Sequence, residues 1–182
     1  SIYQVTEKFF QHIGYFQRPF STLLYLIIIS LMYVFYILFF VLAYKKKITK
    51  REIWILISLT AVILTFSYNA FSYDLFNYIF DAKIFTYYHQ NPYFHKALDY
   101  PGDPMLSFMR WTHRTYPYGP TWNLLTIPLS FIGFNIFLPT FFLFKALASA
   151  SFLGTVFFIG KIMGKYSPKN EILSMVFFGL NP

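Results

Sequence analysis

The chain has no cysteine. A disulfide framework, a thiolate nucleophile and a Cys-ligated metal are therefore all excluded. Charge is scarce as well, at 12% of residues, against about 25% in an average soluble domain. That leaves too little polar surface to wrap a water-soluble globule of 182 residues. Acidic groups are the rarest charged class, with seven Asp and Glu against fifteen Lys and Arg. Internal repeats and low-complexity tracts are absent too. What fills the chain is apolar and aromatic: 57% hydrophobic residues, 25 Phe and 16 Tyr. This suits a lipid-facing surface with aromatic interfaces. A net charge of +8 in a soluble protein would point to nucleic acid. Here the cations cluster beside apolar runs, so membrane topology explains them and no nucleic-acid partner is expected.

Ser21 to Tyr44 is almost uninterrupted apolar sequence. As a helix it reaches about 36 Å, enough to cross a core of roughly 30 Å with some tilt. Ile53 to Phe71 is a second span. Between them Lys45, Lys46, Lys47, Lys50 and Arg51 crowd one short linker. Positive-inside logic makes that linker cytoplasmic and puts residues 1–20 and the chain after Phe71 on the other side. Asn135 to Gly160 reads as a third span, with Lys161, Lys165 and Lys169 on its cytoplasmic flank. Trp122 to Phe134, broken by Pro128 and Gly133, reaches only about 20 Å. It reads as a re-entrant or interfacial helix. Ile172 opens a further apolar run. Residues 1–20 lack the small-residue cleavage site of a signal peptide. A first residue Ser1 and a last pair Asn181-Pro182 read as a piece of a longer protein. The expected fold is an all-α polytopic membrane bundle of the inner (plasma) membrane. Its loop 72–122 is extracytoplasmic and carries amphipathic juxtamembrane helices.

That loop holds every Asp of the chain (Asp74, Asp81, Asp99 and Asp103) and three of the four His. A connection of this length is more often functional than a tether. Asp74, Asn77, Tyr78 and Asp81 recur at i, i+3, i+4 and i+7, one face of a helix. Leu75, Phe76, Ile79, Phe80 and Ile84 form the other, able to lie apolar side down on a membrane surface. Asn91-Pro92 is the expected end of this helix. A second short helix is expected from Met105 to Arg114. It would place Arg110 and Arg114 on one face, a spacing suited to bidentate phosphate binding. Attraction to lipid phosphates in general accounts for the same pair.

Asp74 follows closely on the Ile53–Phe71 span, at headgroup level. A partly desolvated carboxylate there could act as a general base on a lipid-linked substrate. A first-turn acid favoured by the helix macrodipole is the simpler alternative. Asp81, two turns on, could share acid–base work or help hold a divalent cation; alone it fits a solvated polar face. His89, His95 and His113 match no metal-ligand spacing, so no metal centre is expected on them. Tyr116, Tyr118 and Trp122 could stack on a sugar or form an ordinary interfacial belt. Lys145, inside a span, either snorkels to the interface or faces a polar cavity.

The run Ser72-Tyr73-Asp74-Leu75-Phe76-Asn77-Tyr78-Ile79-Phe80-Asp81-Ala82 resembles a pattern in bacterial membrane glycosyltransferases of the GT-C superfamily, the polyprenyl-phosphate-sugar-dependent, alpha-mannosyltransferase-like group. In that group an Asp after a span is followed by a Tyr, a Trp-Asp-Gly-like triplet and Asn-Pro-Tyr. Phe80-Asp81-Ala82 stands in place of the triplet, and Asn91-Pro92-Tyr93 matches. Tyr118-Gly119-Pro120 is similar to the group's turn into a short apolar helix, and Lys145 to its lysine in the next span. The resemblance covers roughly residues 70–165. It implies transfer of a hexose, mannose or a relative, from a polyprenyl-phosphate donor to a glycan or lipid acceptor hydroxyl on the outer face. By the same resemblance Asp74 is the general base. Asp81, Tyr78, Asn91, Tyr93, Arg110, Arg114, Tyr118 and Lys145 are the substrate-binding set, with Lys83 a further cation for the leaving phosphate. No nucleotide cofactor is implied, and the absence of a Gly-rich phosphate loop agrees with that. The competing expectations are a transporter or flippase for lipid-linked sugars, and an assembly subunit without chemistry. A transporter would place its polar groups at mid-bilayer on broken helices, whereas the acids here crowd the loop.

Overall fold

A computed structural model describes residues 2–67 and 73–182. Among the described residues there are seven α-helices: α1 Ile2–Phe16, α2 Arg18–Tyr44, α3 Lys50–Phe66, α4 Asp74–Thr86, α5 Pro120–Ile132, α6 Phe137–Tyr166 and α7 Glu171–Gly179. Three 3-10 turns join them, Ala97–Asp99, Pro104–Phe108 and Pro168–Asn170. No strand forms among these residues, and one isolated antiparallel bridge pairs Lys96 with Thr115. The fold is all-helical, as the sequence leads one to expect. Two helices, α2 and α6, are long and apolar enough to cross a membrane. The described part of the expected 53–71 span is helical from Lys50 to Phe66; its end at 68–71, and Ser72, lie outside the described residues.

The chain divides into two compact units, residues 1–57 with 155–182, and residues 58–154. In the first, α7 packs on α2. The Tyr36 hydroxyl donates to the Phe177 carbonyl at 3.4 Å, and the rings of Phe40 and Phe177 meet at 6.4 Å. Lys50 and Glu171 form an ion pair. Gly179 sits so close to Ile57 that a Cβ there would lie 2.6 Å from Ile57 Cδ1. Of the α2 side chains only Ala43 is fully buried, although the helix is apolar on all sides.

The second unit is built around α4. Phe76, Ile79, Phe80, Ala82 and Ile84 pack with Ala97, Met105, Phe141 and Phe144 in its core. The polar face of α4 is covered too, since Asn77, Asp81, Lys83 and Thr86 are all buried. The expectation of a helix lying on a membrane surface is corrected here: α4 is the centre of a packed unit. It also ends earlier than Asn91-Pro92: the helix stops at Thr86, His89 takes a left-handed φ of 55° and the Gln90 N–H closes back onto the Ile84 carbonyl at 3.1 Å.

Contacts between Tyr78 and Trp122 (5.5 Å between rings) and between Thr86 and Ser130 (2.9 Å between hydroxyls) run in the same order along α4 and α5. The two helices are therefore parallel, with both N-termini at one end. Their other ends are tied by Asn135, whose Oδ1 accepts from Ser130 Oγ at 3.0 Å and from Thr86 Oγ1. Asn135 has a φ of 57°, a conformation Asn tolerates better than most residues.

In the same α5–α6 turn, a Cβ on Gly133 would meet Thr140 Oγ1 at 2.2 Å and the Thr140 backbone at 2.9 Å. Thr140 is buried and its backbone is fixed in the first turns of α6. Gly133→Ala is therefore expected to destabilise by about 1–3 kcal/mol, as overpacking does. Thermal unfolding of the purified variant in detergent measures this.

Candidate functional site

The common N-terminal end of α4 and α5 gathers most of the residues singled out from the sequence. Asp74 is the first residue of α4, where the macrodipole favours a carboxylate. Arg114 Nη2 lies 3.7 Å from Asp74 Oδ1. The Arg110 guanidinium sits 4.4 Å over the Tyr73 ring, and that of Arg114 5.5 Å over the Trp111 ring. Both arginines thus approach the start of α4, but not by the expected route. Residues 109–119 form no helix, so the two do not share a helical face. The Leu98 N–H bonds the Thr112 carbonyl at 3.2 Å, the Tyr116 N–H bonds the Pro92 carbonyl at 3.0 Å, and Lys96 bridges Thr115. These pairings draw the segment out along residues 92–98.

Tyr78, Tyr93, Tyr116, Tyr118 and Trp122 make one aromatic wall. The Tyr78 hydroxyl donates to Tyr118 Oη at 3.2 Å, and the Tyr93 hydroxyl to the Tyr118 carbonyl at 2.9 Å. Tyr93 and Tyr116 pack edge to face at 5.1 Å, as do Tyr116 and Tyr118 at 5.6 Å. Burial, then the Tyr118 hydrogen bond, raises the Tyr78 phenol above its ordinary range. Burial, then the neighbouring Tyr93 and Asp81, pushes Tyr116 up to about 12. Asn91 serves the backbone: its Oδ1 accepts the Tyr93 N–H at 3.0 Å, an Asx turn that places Tyr93 in the wall.

Asp81 faces this wall from α4. It is 7% exposed, and no cation comes within ion-pair distance among the described residues. Burial pushes its carboxyl up to about 7, opposed only in part by the charge of Arg114. Asn77, one turn earlier, donates from Nδ2 to the Trp111 carbonyl at 3.1 Å. Its Oδ1 has no partner among the described residues, and the same holds for Asn123 Oδ1 and Trp122 Nε1. Buried polar atoms are almost always satisfied, so these orphans on α4 and α5 are polar groups that remain to be met. Asn123 was not singled out from the sequence. Its signal was there: Asn123, Thr126 and Ser130 place three polar side chains at i, i+3 and i+7 of an otherwise apolar helix.

The remaining candidates are spent elsewhere. Lys83 is engaged by Asp103 at 2.5 Å in a buried pair. Lys145 Nζ donates to the Ser67 carbonyl at 2.7 Å, just past the last residue of α3. An ammonium there meets the negative end of that helix. His95 Nδ1 is 3.6 Å from Asp99 Oδ2, and His113 stands beside Trp111 at 6.2 Å. Among the described residues no group of three or more His, Asp or Glu is placed to hold a metal ion.

The raised Asp81 carboxyl has a consequence for stability. Its unfolded pKa is about 3.9, so from there up to about 7 the folded chain holds the extra proton. Stability from this group is complete at low pH and falls as pH rises through that window. Asp81→Asn keeps the shape and cannot ionise. It is expected to raise the unfolding temperature at pH 8 and to leave it nearly unchanged near pH 3, read by thermal denaturation across pH.

Comparison with protein-family models, with curated proteins and with solved structures gave no match.

Proposed function

We propose that this chain is an integral membrane glycosyltransferase. It moves a hexose, mannose or a close relative, from a polyprenyl-phosphate carrier to an acceptor hydroxyl on the extracytoplasmic face. One observation carries the reading: a partly exposed carboxylate, Asp74, lies 3.7 Å from Arg114 at the start of α4, near Arg110 and the aromatic wall of Tyr78, Tyr118 and Trp122. At 3.7 Å the Asp74–Arg114 contact is longer than a good hydrogen bond. A donor phosphate can therefore compete with Asp74 for Arg114.

In the reaction so supported, Asp74 takes the proton of the acceptor hydroxyl as its oxygen bonds to the anomeric carbon. The bond from that carbon to the phosphate oxygen breaks, and its electron pair leaves with the polyprenyl phosphate. Arg110 and Arg114 meet the charge that develops on the phosphate. Tyr78, Tyr118 and Trp122 offer faces for a sugar ring. The five cations at 45–51, read by the positive-inside rule, put the site on the outer face.

The test is a transfer assay on vesicles holding the full-length protein, with a radiolabelled polyprenyl-phosphate hexose. Formation of a labelled glycoside is the expected result. Movement of the intact lipid-linked sugar between leaflets without a new glycoside would make the protein a transporter instead.

A further inference from the structure

The first helix has been given no role so far, and its faces differ sharply. Val5, Phe9, Ile13 and Phe16 recur at i, i+4, i+8 and i+11, one stripe of a helix. Ile13 is covered, but Val5 is 70%, Phe9 59% and Phe16 79% exposed. Lys8 and Gln11 lie on another side. α1 has 15 residues, about 22 Å, too short to cross a core of roughly 30 Å. It is joined to α2 through Gln17 alone, where φ −117° and ψ 52° leave the helical region. The chain therefore changes direction there, and α1 does not extend α2. α2 begins with Arg18-Pro19 and turns apolar at once, so the break falls at the level where a membrane's apolar core meets its headgroups.

We propose that α1 is an interfacial membrane helix. It lies in the plane of the bilayer surface at the N-terminal end of α2, with Val5, Phe9 and Phe16 in the acyl boundary and Lys8 and Arg18 at lipid phosphates. The occupant of the apolar stripe is lipid for three reasons. The stripe is continuous in sequence with the exposed apolar surface of α2. A one-residue tether holds it at the boundary. Its flanking cations, Lys8 and Arg18, complement anionic headgroups. The inference depends on α2 crossing the membrane and is independent of any enzymatic role.

The given 182 residues hold no cysteine, so each substitution adds one defined label site within them. Full-length protein carrying one of Val5→Cys, Phe9→Cys, Phe16→Cys, Lys8→Cys or Gln11→Cys is spin-labelled and reconstituted in vesicles of phosphatidylethanolamine and phosphatidylglycerol. Leu31→Cys within α2 serves as the lipid-exposed control. Collision of each label with oxygen, which concentrates in the bilayer, is compared with collision with a water-soluble nickel chelate. The expected result is a ratio several-fold higher at 5, 9 and 16 than at 8 and 11, with the first group shallower than position 31. A high nickel collision rate at 9 and 16 places α1 in water and overturns the proposal. Low rates for both reagents at 9 and 16 mean that protein covers the stripe, and also overturn it. A ratio at position 31 no higher than at 8 removes the span on which the proposal depends. A further variant, Phe9→Gln with Phe16→Gln, is expected to abolish the contrast between 5 and 8 while position 31 keeps its value.

Discussion

Asp74→Asn is expected to lower sugar transfer by roughly 10²–10⁴-fold, the range general-base catalysis supplies, with little change in folding. The amide keeps the size and hydrogen-bonding reach of the carboxylate but cannot take a proton from an acceptor hydroxyl. Its half-exposed 3.7 Å pair with Arg114 is of a kind that contributes about 0–1 kcal/mol. Thermal unfolding of the variant, measured beside its activity, separates lost proton removal from lost folding. Arg114→Gln acts on the other partner and is expected to raise KM for the polyprenyl-phosphate donor more than it lowers kcat. Measuring both variants in the vesicle assay separates proton removal from phosphate binding. Should Asp74→Asn retain transfer while Asp81→Asn loses it, the base is the buried carboxyl and the roles exchange.

How much of this was legible beforehand depended on the range of the interactions involved. The apolar runs behind α2 and α6 are written in composition, and both formed. The i, i+3, i+4, i+7 pattern of Asp74, Asn77, Tyr78 and Asp81 is local as well, and α4 starts at Asp74. What covers that face is not local. Residues 109–119 and α5 close over it, so a pattern fit for a membrane surface became the centre of a packed unit. The same limit explains residues 105–114. Helical spacing of Arg110 and Arg114 is a sound local expectation, but the bonds of Thr112, Thr115 and Tyr116 to residues 92–98 hold the segment out of a helix. The arginines reached Asp74 by tertiary pairing. Lys145 teaches the same point, since its partner, the Ser67 carbonyl, is invisible from the α6 sequence. The stop of α4 at Thr86 was missed because Asn91-Pro92 is the stronger local signal, while the closing bond from Gln90 to Ile84 is a feature of backbone geometry.

Asp103→Asn is expected to destabilise the protein by about 3–5 kcal/mol, the usual result of stranding one member of a buried ion pair. Lys83 Nζ lies 2.5 Å from Asp103 Oδ2, with the two side chains only 11% and 1% exposed. The Tyr88 hydroxyl donates to the same oxygen at 2.7 Å, and the Met105 N–H to Oδ1 at 2.9 Å. Burial alone would raise this carboxyl, but the bonds from Lys83, Tyr88 and Met105 outweigh it and hold it below the usual carboxylate range. The sign is thus opposite to that at Asp81. Its stabilisation is present above the unfolded value of about 3.9 and is lost as pH falls through the lower folded value. Lys83→Met with Asp103→Leu replaces the pair by apolar groups and is expected to recover most of the loss. It should also remove that contribution to acid unfolding, both read by thermal denaturation at pH 7 and pH 3. The pair holds the 97–108 segment to α4, and Leu98 and Lys96 in turn hold Thr112 and Thr115. Loosening it therefore frees the stretch that carries Arg110 and Arg114, so in the proposed enzyme the single variant also loses donor affinity and the double variant regains it. Activity that follows stability through both variants would show that this buried pair, far from the reacting atoms, sets the position of the phosphate-binding arginines.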